Sequence, residues 1–269
     1  MSAVAETAPG RAAPGWVVVL QQELRDLWFG GRGMLLGFGF SLLLSLIAYL
    51  LATNTDLNFL ERRESVSLTL QVAIAVGALL TLLAGADAVS GERERGTLET
   101  LLLTPVSRRQ VAIGKLFAGL SVWFAAFLIA VPYVWFLGRG VGIVDDALII
   151  GFVVGTVLAV FLGSLGIVVS LFTSSNRISL VLGLFILLAL FAPGQLPSPA
   201  QKGWAGDLLL RVDPMTAGVD YVGKILVNGH TWHEDVSLLA SPIVAAAVAA
   251  AGALLLAERF MQLRGGASK

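Results

Sequence analysis

Few residues of this chain are of types that do chemistry, and their spacing limits what each group can perform. His230, His233 and Glu234 in the stretch HTWHED invite a metal reading, because imidazole and carboxylate are common zinc ligands. The order is not H-E-x-x-H and no third helix-borne ligand accompanies it, so the stretch reads as a helix boundary with Trp232 at a membrane interface, and no metal site is expected. Ser, His and Asp occur without the arrangement of a triad, so no catalytic residue is assigned. Two Gly-Lys pairs suggest a phosphate-cradling loop, but Leu116 follows Gly114-Lys115 and Ile225 follows Gly223-Lys224, where G-x-x-x-x-G-K-[ST] requires a hydroxyl. No cofactor is therefore expected in this chain. Asp87, beside Ser90 and Glu92, could serve a proton relay; its place at the end of an apolar run favours a hydrogen-bonded or headgroup-level carboxylate.

The densest polar group is SGERERGTLETLLLTPVSRRQ, residues 90 to 110. Leu98, Leu101 and Leu102 share one helical face, and Glu92, Arg95 and Glu99 recur at i, i+3 and i+7 on another, which predicts a short amphipathic helix over 92–103. Pro105 stops it, and Ser107 with Gln110 forms a capping-box pattern for the next helix. Arg108 and Arg109 in that next first turn oppose the helix dipole, so topology or lipid headgroups are the expected reason for them. By residue pattern alone, two readings stand: a docking helix with Glu92, Glu94, Arg95 and Glu99 turned to solvent, or a solvated loop.

The elements that position these residues are set by composition. Of 269 residues, 57% are hydrophobic and 13% charged, against about 25% charged in soluble domains, and the mean hydropathy is +0.85. Six apolar blocks approach the roughly 20 residues a membrane helix needs: about 33–52, 66–88, 112–137, 147–172, 178–193 and 236–257. The fold expected is an all-α membrane protein. Residues 1–15 read as a disordered cytosolic tail, 16–260 as the membrane domain and 261–269 as a second cytosolic tail. WVVVLQQELRDLWF, set off by Gly30-Gly31, reads as an interfacial helix. Six of the 18 basic residues, Arg62, Arg63, Arg139, Lys202, Arg211 and Lys224, fall on one side of the six spans and twelve on the other, which makes the twelve-residue side, with both termini, cytoplasmic. Net charge of zero gives no support for nucleic-acid binding, and the absence of Cys excludes disulfides and thiolate metal sites.

Gly151, Gly155, Ala159 and Gly163 form a small-residue stripe at four-residue spacing, which suits close helix packing. Pro132 and Pro242 predict kinks in the third and last spans. The external segment 194–235 is too long for a passive connector and holds two short amphipathic pieces around Asp213-Pro214, which on pattern alone suit a lid on the headgroups.

The 90–110 segment, through Asp87, Glu92, Glu94, Gly96, Thr97, Leu98, Glu99, Leu102, Pro105, Val106, Ser107 and Arg108 followed by Gly114-Lys115, resembles the cytoplasmic loop of the ABC-2 type permeases, the membrane subunits of ATP-binding-cassette exporters. The order of interfacial helix, six spans and long external segment is similar too. The resemblance implies that Glu92, Arg93, Glu94, Arg95, Gly96, Thr97, Leu98, Glu99 and Leu102 form a coupling helix seated in a groove of a cytosolic ATPase subunit, and that short external helices close the outer end of the pathway. It implies export across the plasma (bacterial inner) membrane by two permease copies or paralogues surrounded by lipid, with ATP and magnesium held by the partner. An alternative within the family is mechanical service to an extracytoplasmic accessory protein, such as a copper enzyme under maturation.

Overall fold

A computed structural model describes residues 14–53, 59–195 and 211–261. The expected tails lie almost wholly outside these residues, as does most of the amphipathic piece before Asp213. Nine α-helices and no strand occur among the described residues: α1 (Gly15–Trp28), α2 (Arg32–Ala52), α3 (Phe59–Arg95), α4 (Leu98–Leu102), α5 (Arg108–Gly138), α6 (Val144–Phe172), α7 (Asn176–Phe191), α8 (Pro214–Leu226) and α9 (Ser237–Phe260). Five of them, α2, α3, α5, α6 and α9, are long and apolar enough to cross a membrane; α7 is apolar but has only 16 residues.

α1 is a separate amphipathic helix because Gly31, at φ +82°, turns the chain before α2 begins. It lies along α5, where Gly114 leaves room for Val19 and the Trp16 backbone. α3 differs most from expectation. Its 37 residues reach about 55 Å at 1.5 Å per residue, well beyond a bilayer core of about 30 Å. The span expected at 66–88 and the start of the expected 92–103 helix are one rod, since nothing in SGERER interrupts a helix. The rod stops at Gly96, whose φ of +74° places it in the left-handed region. There the Thr97 N–H bonds Glu92 O at 3.0 Å and the Gly96 N–H bonds Arg93 O at 3.3 Å, a Schellman closure. The short helix is therefore α4, five residues long.

α3 and α6 form the enclosed centre, while α2 and α9 are the least buried spans. The two central helices cross backbone to backbone: a Cβ on Gly85 would stand 2.4 Å from Gly163 O, and one on Gly166 2.3 Å from Leu82 O. α8 does not lie on the surface as a lid. Met215, Tyr221, Val222, Ile225 and Leu226 are buried in the core beside Val154 and Leu158 of α6, with Asp213 capping the helix through the Thr216 N–H at 2.7 Å. Pro132 and Pro242 lie inside α5 and α9.

Candidate functional site: the polar junction at the end of α3

The last turns of α3 were expected to face solvent. Glu94 and Arg95 are exposed, but Ser90, Glu92, Arg93 and Glu94 also bond the neighbouring helices α5, α6 and α7. Val89 and Ser90 donate backbone N–H bonds to Ser170 Oγ of α6 at 2.9 and 2.7 Å, and the Ala86 carbonyl accepts from Ser90 Oγ and from Ser179 Oγ of α7, each at 2.7 Å. Such hydroxyls satisfy backbone groups in an apolar surrounding. Arg93 donates to the Thr173 carbonyl at the end of α6. Glu94 accepts the Asn176 N–H at 2.8 Å, so it caps α7, whose own N-cap residue, Ser175, makes no side-chain cap.

A chain of alternating charges continues from there. Lys115 of α5, with 1% of its side chain exposed, pairs with Glu23 of α1 and lies 3.6 Å from Glu92. Arg95 joins Glu92 at 3.7 Å to Asp87 at 3.8 Å, and Arg32 of α2 reaches the same Asp87 oxygen at 3.2 Å. Three anions and three cations thus compensate one another where single charges would be costly. The Thr97 hydroxyl also donates to Glu92, tying the link before α4 into the same network.

α4 rests on this junction. Leu98 is buried with Val19, Val89, Val111, Ala253 and Ala257, and Leu101 and Leu102 pack on the same cluster, the anchoring face anticipated from the leucine spacing. Glu99, Thr100 and Leu103 are exposed, Leu103 by 74%. Leu103 closes the expected 92–103 helix but was not among the residues named individually for it. Ser107 and Gln110 form the capping box at the start of α5, with bonds of 3.3 and 3.4 Å. Arg108 donates to the Glu258 carbonyl at 3.1 Å and Arg109 pairs with the Glu258 carboxylate at 2.7 Å. The two arginines that oppose their own helix dipole thus neutralise the last turn of α9, an account in terms of the neighbouring helix that the sequence did not supply.

Of the remaining candidates, Gly151 lies against Leu70 of α3, Gly155 against Trp123 of α5, Gly163 against Thr81 of α3, and Ala159 is fully buried. The stripe packs inside this chain. Trp123, fully buried with Nε1 donating to Thr156 at 3.0 Å, sits in a slot between Gly77 and Gly155. In the α8–α9 turn, His230 Nδ1 lies 2.7 Å and Lys224 Nζ 2.7 Å from the Asp235 carboxylate, and these two bonds hold its pKa below the usual carboxylate range. Glu234 accepts the Thr231 N–H at 3.2 Å, and among the described residues no group of three or more potential ligands is placed to hold a metal ion.

The sequence model of the family described as "ABC-2 family transporter protein" matches residues 20–259. No curated protein matches the chain. The matched region runs from α1 through the junction, α4 and all the membrane-length helices to the end of α9, and the chain belongs to the ABC-2 family of membrane transporter proteins.

Proposed function

We propose that this chain is the permease subunit of an ATP-binding-cassette exporter, with six spans formed by α2, α3, α5, α6, α7 and α9, both termini in the cytosol, and α4 as the seat of a separate ATPase subunit. The observation that carries the proposal is the placement of α4: a short helix beyond the end of an overlong span, anchored by leucines, with Glu99, Thr100 and Leu103 turned outward. α3 joins it to α1, α2, α5, α6 and α7 through the charged junction, so a displacement of α4 moves the whole end of the bundle. ATP and magnesium belong to the partner, as the chain has no phosphate-cradling loop. A second permease copy or paralogue completes the route.

The docking face is narrower than the nine residues the family resemblance implies. Glu92, Glu94 and Arg95 serve the junction, so charge reversal at Glu92 would test folding rather than docking. The test uses Glu99→Lys with Leu103→Asp, co-expressed with an ABC ATPase that co-purifies with the wild-type chain. Loss of the ATPase with an unchanged size-exclusion profile is expected, because like-charge contacts at an interface cost several kcal/mol. Full ATPase recovery together with intact ATP-driven transport refutes the docking role.

A further inference from the structure

The end of the bundle opposite α4 carries a cleft that the proposed ATPase coupling does not use. It lies between α2 and α5, has a volume of about 440 Å³, and is lined by Ser45, Ala48, Tyr49, Pro132, Tyr133 and Phe136, within the roughly 300–1,000 Å³ of small-molecule sites. α2 is the most exposed span, and Tyr49 and Phe136 are 66% and 48% exposed, so the cleft opens sideways, where lipid surrounds the chain. Its polar content is small and satisfied: Tyr133 OH lies 2.7 Å from Ser45 Oγ and 3.2 Å from Ser41 Oγ. An apolar chain suits these walls.

The rim decides which apolar molecule. Arg139, directly after α5, holds its guanidinium 4.6 Å from the Phe136 ring centroid and 5.7 Å from that of Trp135, and no carboxylate partners it among the described residues. Tyr49 and Trp135, both exposed, are of the two residue types that favour headgroup depth. A cation adjoining an apolar cleft, with no acid of the described residues paired to it, complements an anionic headgroup whose chain descends between two helices. We propose that the α2–α5 cleft binds a phospholipid of net negative charge from the leaflet opposite the α4 side, its phosphate on Arg139 and one acyl chain along Phe136, Tyr49 and Tyr133.

The test needs no ATPase. The full chain in detergent is titrated with phosphatidylglycerol or phosphatidylcholine, and bound lipid is counted by native mass spectrometry. Phosphatidylglycerol binding should fall about fivefold in Arg139→Gln, the factor that one basic residue contributes beside an anionic headgroup. Ala52→Trp, which fills the exposed mouth of the cleft while leaving the charge intact, should weaken it comparably. Arg62→Gln, the same charge change at an exposed site elsewhere at that end, should leave binding unchanged. Equal loss in Arg62→Gln, equal affinity for phosphatidylcholine, full binding by Ala52→Trp, or displacement by inorganic phosphate at matched concentration would each overturn the proposal.

Discussion

Lys115 depends on Glu23 and Glu92, because its nearly enclosed ammonium has no water to replace them. Removing one partner of a buried ion pair costs about 3–5 kcal/mol, and Glu23 retains a quarter of its side-chain exposure, which places Lys115→Met near the lower bound. A markedly reduced thermal midpoint in detergent is expected, whereas a loss under about 0.5 kcal/mol, ordinary for a surface site, would show the cluster to be incidental. Asp235 makes a prediction in pH. Folding lowers its pKa through Lys224 and His230, so the turn gains stability above the unfolded carboxylate value of about 3.9. That stability is lost as pH falls through the lower folded value. Hydrogen exchange across 227–236, corrected for intrinsic rate, should rise as pH falls below about 3.9, and Asp235→Asn should remove that step. A variant with the same profile would sink the assignment. Sequence spacing revealed Glu92 and Arg95 as helix neighbours; it gave no access to Glu23, which meets Lys115 across 92 positions.

At the scale of elements, α6 shows how a legible pattern can have an illegible partner. The stripe Gly151, Gly155, Ala159 and Gly163 was plain in the sequence, because period and size alone define it. That Trp123 fills the gap at Gly155 follows only from the depth at which α5 and α6 cross. A Cβ at Gly155 would meet the indole at 2.2 Å, and Gly77 prevents retreat on the other face. Overpacking costs about 1–3 kcal/mol, which exceeds the roughly 0.5–1 kcal/mol gained when Ala replaces Gly in a helix. Gly155→Ala should lower the thermal midpoint; a raised midpoint would disprove the slot. α3 and α4 carry the complementary lesson. Charge made 90–95 resemble a loop helix, and Glu94 and Arg95 are exposed, yet the pairing of Glu92 with Lys115 of α5 cannot be inferred from charge alone.

For the whole molecule, the twelve-to-six distribution of basic residues predicts cytosolic termini and an external 194–235 segment. Single cysteines in this Cys-free chain allow a direct measurement in intact cells. An impermeant thiol reagent should label Ser198→Cys and spare Ser268→Cys, and the reverse pattern would invert the topology.

Apolar run length determined the helical membrane class and the approximate place of the five membrane-length helices, because burying an unpaired backbone or charge in hydrocarbon is so costly that composition alone must obey it. Local chemistry likewise determined the Ser107 capping box and the break between α1 and α2, since their partners lie within a few residues, and the leucine spacing determined which face of α4 is apolar. The tertiary structure decided the rest: that Glu92 to Glu94 bind neighbouring helices, that Arg108 and Arg109 serve the end of α9, and that α8 enters the core. Each of these depends on contacts between residues distant in the chain, whose pairing is chosen by helix crossing and mutual charge compensation, and neither quantity has a period in the sequence.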